Sequence, residues 1–164
     1  MIKIVQNPDP VLRQTAERIT EAEFNSREFG YLVGKLKETL AEEKDGVGLA
    51  APQIGVSKRV FVISPKIFKK PEKHLVYVNP AITKSSNKLL VHDEGCLSVR
   101  DIYGKIKRKE KVTVEAYDET GKKFTRGASK LLAEIFQHEI DHFDGKLFID
   151  KAWDLRKIKS EIKD

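Results

Sequence analysis

The chain has 164 residues, a length typical of one globular domain with a core of its own. Charged residues make up 34% and hydrophobic residues 40%, with 10 glycines and 6 prolines, which excludes disordered, collagen-like and low-complexity proteins. The formal net charge of +6 and the isoelectric point near 9.3 permit an acidic partner without identifying one. No change of composition divides the chain, so we predict a single domain over residues 1–164.

The compartment follows from what the sequence lacks. Its first residues carry no apolar segment of the secretory type, and no run approaches the ~20 apolar residues of a membrane span. The single cysteine, Cys96, has no disulfide partner in the chain, and an unpaired thiol is easiest to keep in a reducing compartment. We therefore predict a cytoplasmic protein without a membrane segment; an organellar location stays open.

Hydrophobic periodicity predicts a first helix over residues 26–43, which the Asp45-Gly46 pair ends. A second helix is predicted over residues 129–143. Strand-like runs lie between them at residues 59–64, 74–79, 88–91, 111–117 and 122–126, the last two joined by a turn at 118–121. This order favours an α+β fold: a single compact domain of short mixed or antiparallel sheets around a central helix.

The second predicted helix contains an anomaly. On a helical wheel, one broad arc is apolar and holds Leu131, Leu132, Ile135, Phe136, Ile140 and Phe143. Glu134, Gln137 and Asp141 share the opposite arc. Glu139, however, falls in the middle of the apolar arc, where a solvated carboxylate is not expected for stability alone.

Residues 138–142 have the sequence His-Glu-Ile-Asp-His, the H-E-x-x-H pattern. Because residues four apart share one helix face, His138 and His142 come within reach of a single metal ion, with Glu139 beside it. Two half-buried histidines around a surface glutamate would give the same pattern without a metal, but the wheel position of Glu139 argues against this. A catalytic zinc-type site takes three protein ligands, so a third ligand is needed.

Two familiar sources of the third ligand fail. The metzincin pattern needs a histidine at position 148, which is Phe148, and the only downstream glutamate is Glu161 in a charged tail. The remaining soft donor is Cys96, upstream in the sequence Glu-Gly-Cys-Leu-Ser at residues 94–98, and a thiolate with two imidazoles makes a Cys-His-His set. A lone cysteine is more often a small buried hydrophobic residue, so the pattern alone leaves this assignment open.

A third segment, residues 46–53, reads Gly-Val-Gly-Leu-Ala-Ala-Pro-Gln and places small residues before the amide of Gln53. A tight turn into a buried strand explains it equally well. Taken together, the three segments resemble the peptide deformylase family, whose pattern is G-x-G-L-A-A-x-Q, then E-G-C-L-S, then Q-H-E-x-D-H. The resemblance covers roughly residues 2–150, since the N-terminal segment is also similar.

The resemblance implies a metal-dependent hydrolase that removes the N-formyl group from the N-terminal formyl-methionine of new polypeptides and releases formate. It implies that Cys96, His138 and His142 bind one divalent ion, usually Fe²⁺ in this family, with Zn²⁺, Ni²⁺ or Co²⁺ as alternatives. Glu139 is then the general acid and base. The ligand set by itself does not decide which metal is bound.

The resemblance also assigns the groups that handle the substrate. Gln53 and the backbone N–H of Leu97 stabilise the oxyanion, while Gly46, Val47 and Gly48 pair with the substrate backbone.

Two residues depart from the common form of the family. Arg100 stands where many relatives have proline. Glu134 stands where relatives line the methionine pocket with a less polar residue, and a place on a solvated face suits it equally well. His74 and His92 have no partner pattern and are interpreted as structural or surface residues.

The C-terminal residues 151–164 carry basic residues, with apolar ones at near-helical spacing. They predict a short amphipathic helix or tail. Because deformylases meet their substrate at the ribosome exit, this segment is a candidate for contact with ribosomal RNA phosphates. A solvated face on a docking helix explains the same pattern.

Two other functions compete with deformylation. A zinc endopeptidase would use the same H-E-x-x-H on an internal peptide bond, but its third histidine is missing. A noncatalytic ribosome-binding protein would hold a structural ion with the same three residues, but no second cysteine closes the fourth position.

Overall fold

The computed structural model describes residues 2–158 of the chain. Its helices and strands are, in chain order, α1 Arg27–Glu42, β1 Gly48–Ala50, β2 Val60–Ile63, β3 Val76–Ser85, β4 Leu89–Cys96, β5 Val99–Lys109, β6 Lys111–Tyr117, β7 Lys123–Ser129, α2 Lys130–Phe143 and β8 Trp153–Lys157. Antiparallel pairing forms a five-stranded sheet of order β1-β2-β3-β6-β7 and a three-stranded sheet of order β4-β5-β8. Helix α2 contacts strands of both sheets. The predicted α+β fold around a central helix is confirmed.

Helix α1 begins where the sequence analysis expected it. The hydroxyl of Ser26 caps it by accepting a hydrogen bond from the Phe29 amide at 3.1 Å. Its apolar stripe, which includes Leu36 and Leu40, packs on β1 and β2. The helix stops just before the loop that leads into β1, so its C-terminal end forms one side of the cleft described below.

Helix α2 matches the predicted helix but differs from the wheel at Leu131 and Gln137, and at Glu134, which is described with the cleft below. Leu131 is 49% exposed rather than in the core. Gln137, expected on the solvated arc, is buried: its Oε1 accepts a hydrogen bond from the Lys109 backbone N–H at 2.8 Å and its Nε2 donates to the Lys109 carbonyl at 3.0 Å. The end of β5 leaves these backbone groups to be satisfied, and a long-range partner on α2 satisfies them.

The strands agree with the prediction in part: β3 runs on to Ser85 instead of ending at residue 79. The β6–β7 hairpin and its turn at residues 118–121 are confirmed. Strand β1 is buried along its whole length. Strand β4 runs on to Cys96, whereas the predicted strand ended at residue 91. Strand β5 was not predicted from the sequence. Strands β4 and β5 form a hairpin whose tight turn consists of Leu97 and Ser98. This hairpin sets Cys96 at the end of a strand.

Residues Trp153–Lys157 are a strand, not the amphipathic helix that we predicted. Strand β8 pairs antiparallel with β5, with Ile102 opposite Lys157 and Tyr103 opposite Arg156. The open edge of β5 offers unpaired backbone groups, and pairing with them outweighs a weak helical spacing. The prediction for residues 159–164 lies outside the described residues. Between residues 2 and 158, no helix is long and apolar enough to cross a membrane.

Candidate metal centre and cleft

Strand β4 and helix α2 bring Cys96, His138 and His142 together. Cys96 ends β4, and the two histidines lie one turn apart on α2. Their ligand atoms all lie within 4.8 Å of one another, and Cys96 Sγ is 3.5 Å from His142 Nε2. Since zinc-type ions sit about 2.0–2.3 Å from nitrogen and sulfur ligands, one ion fits among donors at this spacing. Within residues 2–158 this is the only such group of three.

A buried ion-pair network supports His138 from behind. The Glu94 carboxylate on β4 accepts a hydrogen bond from His138 Nδ1 at 3.2 Å. Arg108 on β5 forms two ion pairs: its Nη2 lies 2.7 Å from Oε2 of Glu94, and its Nη1 lies 2.6 Å from Oδ2 of Asp141 on α2. With Nδ1 committed to Glu94, His138 is left with Nε2 as its ligand atom. Neither Glu94 nor Arg108 has a role predicted from the sequence: Glu94 lies in the Glu-Gly-Cys-Leu-Ser segment, but nothing in the local pattern marks Arg108.

The electrostatics of the centre suit a cation. Burial raises the pKa of Glu94, but the hydrogen bond and charge of His138 outweigh it and lower that pKa, so the carboxylate is ionised. Burial lowers the pKa of His138, yet Cys96 and Glu94 overcome this effect and raise it well above the ordinary value. Burial, together with the charge of His138, lowers the pKa of His142 well below the ordinary value. Cys96 and Glu94 therefore stabilise a positive charge on His138. A divalent ion bound between Cys96 and the histidines can supply that positive charge in place of the His138 proton.

Glu139 lies beside this centre, and its side chain is shielded from water. The residue is 3% exposed, and burial raises the pKa of its carboxyl to about 7. Its Oε2 is buried without a hydrogen-bond partner. Its Oε1 faces Gly48, where an added Cβ would come within 2.8 Å of that oxygen, so only glycine leaves the carboxyl in place. A carboxyl that titrates near neutrality and has a free oxygen is suited to taking up and returning a proton.

Two further groups converge on Cys96. Gln53, 1% exposed in the turn after β1, accepts a hydrogen bond from the Ala50 backbone N–H at 2.9 Å, so its Nε2 is the end that faces the centre. That Nε2 lies 3.5 Å from Cys96 Sγ and 3.2 Å from Ser98 Oγ. The Leu97 peptide follows Cys96 in the tight turn. The side-chain amide of Gln53 and the Leu97 peptide thus both lie next to Cys96.

The centre opens into a cleft of about 550 Å³. One wall is the loop from α1 into β1 and includes Gly46, Val47 and Gly48. The opposite wall is the β4–β5 hairpin, and α2 supplies the floor. Strand β1 is an edge strand of its sheet, so an extended peptide in the cleft can pair with it.

The two residues that depart from the family form both line this cleft. Arg100 makes an ion pair of 3.0 Å with Glu43 at the end of α1, which ties the two walls together. Glu134 lines the floor instead of a solvated face, and its Oε2 lies 2.8 Å from Nδ1 of His92. His92 therefore has a partner that the sequence did not reveal. His74 stacks on the ring of a β7 phenylalanine, which suits the structural role expected for it.

Comparison with known proteins gives consistent matches. The family model described as polypeptide deformylase matches residues 1–158. The peptide deformylase of Acidobacterium capsulatum is 46% identical over 154 residues, which is 94% of this chain and 88% of that protein. The chloroplastic/mitochondrial peptide deformylase 1B of Arabidopsis thaliana is 40% identical over 163 residues, 98% of this chain and 58% of that longer protein. The crystal structure of a peptide deformylase from Legionella pneumophila superposes with a TM-score of 0.84 at 43% identity, covering 94% of this chain and 87% of that one.

Proposed function

Because the chain belongs to the peptide deformylase family, we propose that Cys96, His138 and His142 hold the catalytic metal ion of a deformylase. The enzyme is a hydrolase that removes the N-formyl group from the N-terminal formyl-methionine of new polypeptides and releases formate. The endopeptidase and the noncatalytic ribosome-binding interpretations are not favoured by these matches. The observation that supports the ligand assignment is the approach of three donor atoms to within 4.8 Å of one another.

The chemistry divides between the ion and the side chains around it. A divalent ion held by these donors would lower the pKa of a coordinated water and so supply hydroxide near neutral pH. Glu139 takes up the proton of the attacking water on its free oxygen and returns it to the leaving amine, which its pKa of about 7 allows in both directions. Each donor to the developing oxyanion, Gln53 Nε2 and the Leu97 N–H, contributes about 3 kcal/mol.

The substrate backbone lies along residues 46–48 and the edge of β1. Main-chain hydrogen bonds to such an edge do not depend on the substrate's side chains, which suits an enzyme that acts on most new polypeptides. Gly48 supports this placement: no side chain stands there between the substrate and Glu139.

Replacing Cys96 by alanine is expected to remove both the metal and the activity, because two imidazoles alone hold a divalent ion weakly. Anaerobically purified wild-type protein should contain about one metal ion per chain, measured by elemental analysis together with formate release from a formyl-Met tripeptide. His74→Gln, which changes a histidine outside the centre, is the control and should keep both. Stoichiometric metal and full formate release in Cys96→Ala would show that the ligand assignment is wrong.

We propose Fe²⁺ as the ion in the cell, with Zn²⁺, Ni²⁺ or Co²⁺ able to occupy the same donors. Iron-loaded enzyme is then expected to lose activity in air faster than nickel- or zinc-loaded enzyme, because both the ferrous ion and the Cys96 thiolate are oxidisable. Residual formate release, followed over time in air for each form, measures this. Equal inactivation rates in the three forms would contradict it.

The site of action that we propose is the cytoplasm, or the translating compartment of an organelle, where formylmethionyl chains are made. A single catalytic domain over residues 1–164 is part of the same proposal.

Contact between the basic residues of 151–164 and the ribosome stays a prediction. Of these basic residues, Arg156 and Lys157 lie exposed on β8, and Arg156 forms an ion pair with Asp93.

A further inference from the structure

The three-stranded sheet β4-β5-β8 has one face that packs on the protein and one that is exposed. On the packed face, Ile106 of β5 belongs to a buried cluster with Phe148, and Arg108 of β5 reaches α2. The opposite face, called the outer sheet face below, carries the alternate residues of the strands. The residues of this face that matter here are Val91, Tyr103, Lys105, Lys107, Lys109 and Trp153.

Three lysines form a straight row along the middle strand of this face. Lys105, Lys107 and Lys109 are separated by one residue each, so their side chains leave β5 on the same side. The residues between them, Ile106 and Arg108, are buried on the other side. Alternate residues of a strand are about 7 Å apart, so the row presents positive charge at a regular spacing along β5.

Neighbouring carboxylates neutralise only part of this charge. Lys105 lies 3.4 Å from Asp154, an exposed residue of β8, and Asp93 on β4 is paired with Arg156. For Lys107 and Lys109, no acidic side chain in the part of the chain that the structure describes lies within ion-pair distance. The row therefore keeps positive charge that is available to an anionic partner.

Aromatic side chains lie at one end of the row. The ring of Tyr103 covers Gly95 of the paired strand, where an added Cβ would come within 2.6 Å of the ring. Trp153 lies opposite Lys105 on β8 and is 39% exposed. Exposed rings beside cations provide flat surfaces on which nucleobases stack, while the cations contact the phosphates.

We propose that the outer sheet face binds single-stranded RNA. The three lysines contact successive phosphates, and Tyr103 and Trp153 stack on bases at one end of the bound segment. Because β4 and β8 are only about 10 Å apart, the face has the width of one nucleic acid strand, whereas recognition of double-stranded RNA spans two minor grooves. This surface acts independently of the metal centre.

Two other partners fit the same face less well. An acidic peptide would use the lysines but would leave the two exposed rings without a role. A membrane surface favours a continuous apolar patch, whereas here the lysine row separates Val91, which is 55% exposed, from Trp153. The order of basic and aromatic groups therefore favours single-stranded RNA.

Binding of a fluorescent oligouridylate of about 12 nucleotides to the metal-loaded protein, followed by anisotropy, tests this proposal. The wild type should bind with an affinity that falls with salt, with a log–log slope of about −2, because three lysines neutralise phosphates. The triple substitution Lys105→Gln, Lys107→Gln and Lys109→Gln should weaken binding about tenfold or more and bring the slope close to zero. Trp153→Leu should weaken binding about fivefold or more and leave the slope unchanged.

The matched control is the triple substitution Lys66→Gln, Lys69→Gln and Lys70→Gln, which removes the same charge from exposed positions outside this sheet. It should bind the oligonucleotide like the wild type. Formate release from a formyl-Met tripeptide should be unchanged in both triple variants and in Trp153→Leu, which shows that each is folded and holds its metal.

Three results would each overturn the proposal. The first is a wild-type protein that does not bind the oligonucleotide at about 50 mM salt. The second is an equal loss of affinity in the two triple variants, which would show that net charge alone attracts the RNA. The third is equally tight binding of a double-stranded RNA of the same length, since its paired bases are not free to stack on the two rings.

Discussion

Replacement of Glu139 by glutamine is expected to lower kcat by about 10²- to 10⁴-fold, the usual contribution of a general acid or base. The amide keeps the size of the side chain but cannot accept the proton of the attacking water. Fold and metal content should survive, because Glu139 is not among the three donors that converge on the centre. Substrate Kd, measured directly, should change little, since the lost interaction acts in the transition state.

The rate of formate release at a saturating concentration of a formyl-Met tripeptide gives kcat. Elemental analysis of the same preparation gives the metal content. Glu38→Gln, an exposed glutamate on α1, is the control for loss of a carboxylate anywhere in the chain. A Glu139→Gln enzyme within a few-fold of the wild type would refute the role of Glu139 even if the protein is an active deformylase.

The second large effect is expected from Glu94→Leu, which leaves Arg108 in the interior without its main partner. Arg108 is 7% exposed, and removal of one member of a buried ion pair typically costs about 3–5 kcal/mol of unfolding free energy. The same change frees Nδ1 of His138, so metal affinity should weaken about 10- to 100-fold. Chemical denaturation of the metal-free protein and a metal titration measure the two effects separately.

The pH dependence of this effect has a definite sign. The folded-state pKa of Glu94 lies below its ordinary value of 4.5, because His138 and Arg108 outweigh burial. Its stabilising contribution is therefore complete above about pH 4.5 and is lost as the pH falls through the lowered pKa. Glu94→Leu should remove this part of the acid-induced loss of stability.

Glu115→Leu, on the exposed surface pair between Glu115 and Lys123, is the matched control and should leave the denaturation midpoint nearly unchanged. If Glu94→Leu is as stable as this control and binds metal equally well, the ion pair with Arg108 does not support the centre.

Short-range sequence pattern is enough to predict the two helices, one hairpin and part of the site. Helices α1 and α2 and the β6–β7 hairpin follow from apolar spacing and turn residues, and the observed bounds differ from the predicted ones by no more than a few positions. The H-E-x-x-H pattern placed two imidazoles on one helix face because that geometry is a property of the helix alone. The family also follows from motifs that are each contiguous in the chain.

Contacts between groups far apart in the chain could not be predicted from local pattern and are known only from the folded structure. The bond between Arg108 and Glu94 joins residues 14 positions apart across a hairpin whose second strand had no local signal. Gln137 is buried because a β5 backbone lies beside it, and β8 is a strand because an open edge of β5 accepts it. Glu134 lines the cleft because α2 turns that face toward it, and there it meets His92 from β4. In each case the deciding free energy belongs to a contact between segments far apart in sequence, and local spacing carries no information about such a partner.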